Sequence, residues 1–228
     1  MPAAMQRTVL LVMSLAPASI ALAHGVAERD AAWLEQHAGL ELVLFAYLGA
    51  KHMVTGYDHL LYLLGVIFFL RRPRDIALFV TLFAVGHSLT LLGGVLGGIR
   101  LNPWLVDAVI GLSVVYKGFE NLDGFRATIG WQPDPRYAVF AFGLVHGFGL
   151  ATKLQELTLS SEGLVANIVA FNVGVELGQL LALALLLFFI TAWRATGRYA
   201  AHAWGFNIAL MAAGLLLTGY QLAGYRLA

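Results

Sequence analysis

Two histidines and a carboxylate stand together where a long apolar run begins: His52, Asp58 and His59, within the stretch Lys51 to Tyr62. Imidazole and carboxylate bind divalent transition metals and also carry protons. Inside a bilayer each ionisable group costs roughly 2.5–3.5 kcal/mol even on the lenient insertion scale, so something must offset it, and a bound cation would. The other apolar runs carry their own polar phrases. These are Gly86-His87-Ser88-Leu89-Thr90, Lys117-Gly118-Phe119-Glu120-Asn121, Leu144-Val145-His146-Gly147 and Asn172-Val173-Gly174-Val175-Glu176-Leu177-Gly178-Gln179.

Spacing groups these residues further. His52 and His59 are seven apart and share a face if a helix runs through Gly56, whereas Lys117 and Glu120 are spaced to pair. Asn172, Glu176 and Gln179 recur at i, i+4 and i+7, which predicts one polar stripe facing the bundle. Four histidines with Asp58 and Glu176 suit Ni, Co, Zn or Fe(II). Copper(I) is the weaker choice, because the chain has no Cys and, past residue 23, only Met53 and Met211 as thioethers. The absence of Cys also excludes disulfides, thiolate sites and cysteine nucleophiles.

The elements that must hold these groups are membrane helices. Of 228 residues 60% are hydrophobic and 12% charged, about half the charged share of an ordinary soluble domain. The formal net charge is +1 with the basic residues scattered, which excludes a nucleic-acid-binding surface. Residues 1–23 read as a secretory signal, with Arg7, an apolar Val9 to Ala16 and the cleavage pattern Ala21-Leu22-Ala23. Residues 24–38 form a polar periplasmic lead-in, and 39–228 the polytopic helical domain.

Crossing a bilayer takes about 20 residues, so the 32 residues from Gly39 to Leu70 are too many for one upright helix and few for two. We expect a partly inserted or re-entrant helix to Thr55, then Gly56 to Leu70 as the inner part of the first span. Five more spans follow: Ile76 to Leu96, Pro103 to Leu122, Tyr137 to Lys153, Leu164 to Trp193 and Ala203 to Tyr225. This all-α, six-span arrangement puts Arg71, Arg72, Arg74, Arg126, Arg136, Arg194 and Arg198 on the cytoplasmic side. Arg100, Lys153 and Arg226 stay outside, which obeys the positive-inside rule. Both mature termini are then periplasmic and the protein is a multi-pass inner-membrane one.

Together the His52-x5-Asp58-His59 pattern, His87-Ser88-Leu89-Thr90, Glu120-Asn121-Leu122, Phe142-Gly-Leu-Val-His146-Gly and Asn172-x-Gly-Val-Glu176-Leu-Gly-Gln179 resemble the HupE/UreJ family, hydrogenase and urease accessory membrane proteins. The similarity extends over nearly the whole mature chain. It falls nearer the second, less characterised subfamily, since only His146-Gly147 remains of the Phe-His-Gly-x-x-His-Gly-x-Glu motif of the better-studied branch. The resemblance implies a secondary permease for nickel, sometimes cobalt, with metalloenzyme maturation proteins as partners.

The residues also have ordinary readings. An intramembrane His or Asn often only hydrogen-bonds between helices, worth about 0.6 kcal/mol on average, and Lys117 with Glu120 reads more readily as a structural pair than as a site. The collection across several helices favours one polar cavity. At about 1.5 Å per residue, His52, Asp58 and His59 fall near the outer face, His87, His146 and Glu176 near the midplane, and Glu120 toward the inner face. Such a graded string suits a translocation path, with Glu120, Asn121, Asn172, Gln179, Ser88 and Lys117 in support. A metal-dependent hydrolase would instead gather three or four ligands at one depth. A metal-binding accessory protein that transports nothing is the third reading.

Overall fold

A short buried helix stands at the centre of the molecule. In the computed structural model, which describes residues 39–155 and 163–227, eight helices follow one another. They are α1 (Leu42–Thr55), α2 (Tyr57–Ile67), α3 (Pro73–Leu96), α4 (Pro103–Asn121), α5 (Gly124–Ile129), α6 (Pro135–Leu154), α7 (Leu164–Ala195) and α8 (Tyr199–Leu227). Three pairs surround α2: α1 with α7 and α3 with α6 run parallel, and α4 with α8 runs antiparallel. The described residues contain no strand. The expected signal and lead-in, residues 1–38, lie outside them.

Local sequence sets the helix starts. Proline opens α3, α4 and α6 at the first turn, where its missing N–H costs nothing. Asn102 and Asp134 precede two of these prolines, and each side chain accepts a backbone N–H from the first turn. Small residues set the pairing distances. A methyl group added at Gly49 or Gly174 would collide with the carbonyl of Phe171 or Ala46, so α1 and α7 touch backbone to backbone. Such close approach is how membrane helices gain packing without a hydrophobic drive between them.

α3, α6, α7 and α8 are each long and apolar enough to cross a membrane. α4 has 19 residues but buries Asp107, Lys117 and Glu120. The Gly39 to Leu70 stretch is divided at Gly56 as expected, but of the two alternatives for its first part, partly inserted or re-entrant, it is not re-entrant. It breaks at Gly56, whose backbone is extended (φ −73°, ψ 99°), and α2 continues onward from α1. At the start of the stretch the Asn167 side chain bridges the Gly39 carbonyl and the Glu41 N–H, near the beginning of α7. At its end Arg194, near the end of α7, donates to the carbonyls of Phe68 and Leu70, and the Tyr199 hydroxyl also donates to Phe68. The broken pair therefore runs the length of α7 and does not turn back.

Candidate metal site

α2 delivers His59 to the middle of the bundle, and three other histidines close around it. Ring centroids lie 5.0 Å away for His52 of α1, 5.9 Å for His87 of α3 and 4.8 Å for His146 of α6. His59, His87 and His146 are fully buried. His52 is partly exposed, yet its Nε2 is buried. The break at Gly56 makes this possible, because it lets α1 and α2 present His52 and His59 to the same point from two directions. A side chain at Gly56 would press on the His52 carbonyl, Asp58 Oδ1 and His59 Nδ1, all at 2.9–3.0 Å.

Hydrogen bonding fixes which ring nitrogens remain available. Asp58 Oδ1 accepts from the His59 backbone N–H and from His59 Nδ1, both at 2.8 Å. That tautomer leaves Nε2 bare, and Nε2 has no hydrogen-bond partner. Asp58 thus orients a ligand in the manner of carboxylate–histidine–metal triads. Ser113 does the same for His146. Its single proton goes to the Ile110 carbonyl at 2.6 Å, so at 3.2 Å from His146 Nε2 the hydroxyl accepts. His146 therefore carries its proton on Nε2 and presents a bare Nδ1, again unpartnered. His52 Nε2 and both nitrogens of His87 are unpartnered as well.

Leaving a buried polar group unpaired costs about 1–3 kcal/mol, so four such imidazoles in one cluster call for a shared ligand. A divalent transition metal fits the donor set. Among the described residues no three His, Asp or Glu side chains already stand in coordinating geometry, so a metal would have to draw the rings inward.

The polar groups continue in both directions along α4. Asp107, Ser113, Lys117 and Glu120 are buried on this helix, over about 20 Å at 1.5 Å per residue. Toward the start of α4, Asp107 Oδ2 accepts from Lys153 of α6 at 2.8 Å. Toward its end, Lys117 pairs with Glu120 at 2.5 Å, as their spacing predicts. Tyr62 links the cluster to this second pair. Its ring lies 5.5 Å from His146, and its hydroxyl is buried without a partner among the described residues, on the helix that packs against α4. Beyond Glu120 opens a cavity of about 400 Å³ lined by Lys117, Glu120, Asn121, Asp123 and Gln132.

A family model described as HupE / UreJ protein matches residues 28–226. The chain belongs to the HupE/UreJ family. Comparisons with curated proteins and with solved structures give no match.

Not every expected site residue of this HupE/UreJ protein joins the cluster. Glu176 is exposed on the outer side of α7, away from the histidines. The buried face of α7 centres on Phe171, Val175, Gly178 and Ala182, with Asn172 at its edge. At about 100° per residue, Glu176 lies some 40° further round than Asn172 and leaves the bundle. The expected separation in depth also fails, since His52 and His59 meet His87 and His146 at one level. Asn121 donates to the Gly65 carbonyl and to Asn207 Oδ1, and Gln179 donates to the Val80 carbonyl, so both tie helices together. Asn172 is buried with both amide atoms unpartnered, and Ser88 is half-buried beside His87.

Tyr62, Asp107, Ser113 and Lys153 were not among the expected site residues. Asp107 carried a readable signal: it precedes Ser113, Lys117 and Glu120 by six, ten and thirteen residues, on one side of a helix. The serine and tyrosine gave none, because their roles depend on helices far away in sequence.

Proposed function

We propose that this protein is an inner-membrane secondary permease for a divalent transition metal, nickel first and cobalt also, that supplies metalloenzyme maturation. The observation that carries this reading is the cluster of four imidazoles with bare nitrogens, continued on both sides by buried charged pairs. A conducting path needs polar groups beyond the binding point, and α4 supplies them at either end. In this reading His52, His59, His87 and His146 hold the ion as cargo. Asp58 and Ser113 orient two of the rings, and Tyr62, Lys117 and Glu120 line the way out to the cavity.

The path has six crossings, the first made by α1 and α2 together, and both mature ends are periplasmic. Support comes from the arginines. Arg194 bonds to carbonyls beside Arg71 and Arg72, so these residues share one face, and positive charge marks the cytoplasmic side. The test is uptake of labelled nickel into sealed vesicles containing only this protein. His59→Ala abolishes uptake while membrane expression is retained, and equal uptake by that variant sinks the assignment.

One observation favours a second reading. Histidines gathered at one level, with a serine beside them, are what an intramembrane metal-dependent hydrolase would use. A stoichiometric metal retained through dialysis, with no flux in vesicles, selects that reading over the permease.

A further inference from the structure

The ion pair between Asp107 and Lys153 is more than a helix tie. Asp107 is buried and Lys153 partly buried, with side-chain exposures of 5% and 13%, and Lys153 Nζ meets the carboxylate at Oδ2. The other oxygen, Asp107 Oδ1, is buried and has no hydrogen-bond partner among the described residues. A pair built for stability alone would satisfy both oxygens, since one left bare forfeits much of what the pairing returns. The residue facing Asp107 Oδ1 from α6 is Gly149, where a Cβ would stand 3.5 Å from that oxygen and 3.0 Å from the Ile110 side chain, so it is the absence of a side chain there that leaves the oxygen uncovered. The pair lies about two turns from the histidine cluster along both of its helices, since Ser113, which bonds His146, follows Asp107 by six residues on α4, and Lys153 follows His146 by seven on α6.

Resting on the permease reading, we propose that Asp107 is a cation-receiving carboxylate at the periplasmic entrance and that Lys153 is its tethered counter-cation. An incoming divalent ion takes the carboxylate, the ammonium swings aside on its flexible stem, and the ion passes to His52. At equal distance a divalent ion attracts the carboxylate about twice as strongly as an ammonium does. A monovalent ion gains no such advantage and does not displace the lysine. The pair thereby keeps monovalent cations from the histidines, and it restores the counter-charge once the ion has moved on.

The test titrates the purified full chain in detergent with Co²⁺, read by its visible absorption, beside thermal unfolding and vesicle uptake of the same variants. Lys153→Gln removes the competing charge and tightens Co²⁺ binding about tenfold, and Asp107→Asn weakens it by a similar factor. The exchange Asp107→Lys with Lys153→Asp keeps an ion pair and the folded stability but moves the carboxylate, so it binds Co²⁺ as weakly as Asp107→Asn. Wild-type affinity in the single variants, or in the exchanged pair, overturns the proposal. If wild-type uptake is present and these affinities do not move, the entrance site falls and the permease stands. If they move as expected but the wild type carries no flux, the permease falls and the carboxylate site stands.

Discussion

Ser113 controls His146 through a single proton. Because that proton is committed to the Ile110 carbonyl, the imidazole must donate from Nε2, and its Nδ1 is left without a proton or a hydrogen-bond partner among the described residues. Ser113→Ala removes the constraint on the tautomer, and loss of such an outer partner costs about 10- to 100-fold in metal affinity. We expect Co²⁺ binding to weaken by at least the lower figure with unfolding temperature nearly unchanged; a variant that binds as the wild type does would show that Ser113 is only a packing residue. Glu176→Gln gives the opposite pattern: its side chain lies outside the bundle, so Co²⁺ affinity is unchanged in the same titration. The four histidines stood out in the sequence as imidazoles in apolar runs, but their meeting around His59 depends on helices far apart in the chain and could not be read from it. Glu176 was misplaced because spacing fixes relative angle along a helix but not which side faces inward. Asp107 was overlooked because its neighbours Val106 and Ala108 carry no second polar residue to draw attention to it.

The broken pair α1–α2 was only half legible as an element. Gly56 and the length of the run announced an interruption, but whether the chain turned back depended on contacts with α7 more than a hundred residues away. Those contacts explain how so short a helix as α2 holds its place. Its last carbonyls would otherwise lack partners; Arg194 and Tyr199 supply them, and the Phe68 ring stacks on Phe206 at 4.4 Å. A cation at a helix C-terminus adds a favourable charge–dipole interaction. Arg194→Ala strands the Leu70 carbonyl and leaves that of Phe68 to Tyr199 alone, which we expect to lower stability by about 1–3 kcal/mol. Denaturant unfolding in detergent measures this, and because α2 carries His59, metal affinity should fall along with it. Stability within a few tenths of the wild type would mean that Tyr199 alone caps the helix.

Across the whole molecule, three helix pairs are locked by glycine and grouped around one axle. The number of long apolar helices could be read from composition, but the pairing could not, because many glycines in the chain are equally able to sit at an interface. One lock lies directly beside the site. A Cβ on Gly147 would strike the His87 carbonyl and the Thr90 hydroxyl, so α3 and α6 stand as close as two backbones allow beside the residues that carry the His87 and His146 rings to His59. The separation of those two helices is thus gauged by a missing methyl group, and in the proposed metal site the ruler for ionic radius would be backbone, stiffer than any side chain. Gly147→Ala widens the gap and should shift preference from Ni²⁺ toward the larger Mn²⁺, read as a changed ratio of affinities in competition titrations, before it abolishes binding. Selectivity in this bundle would then be tuned at positions that bear no ligand and no charge.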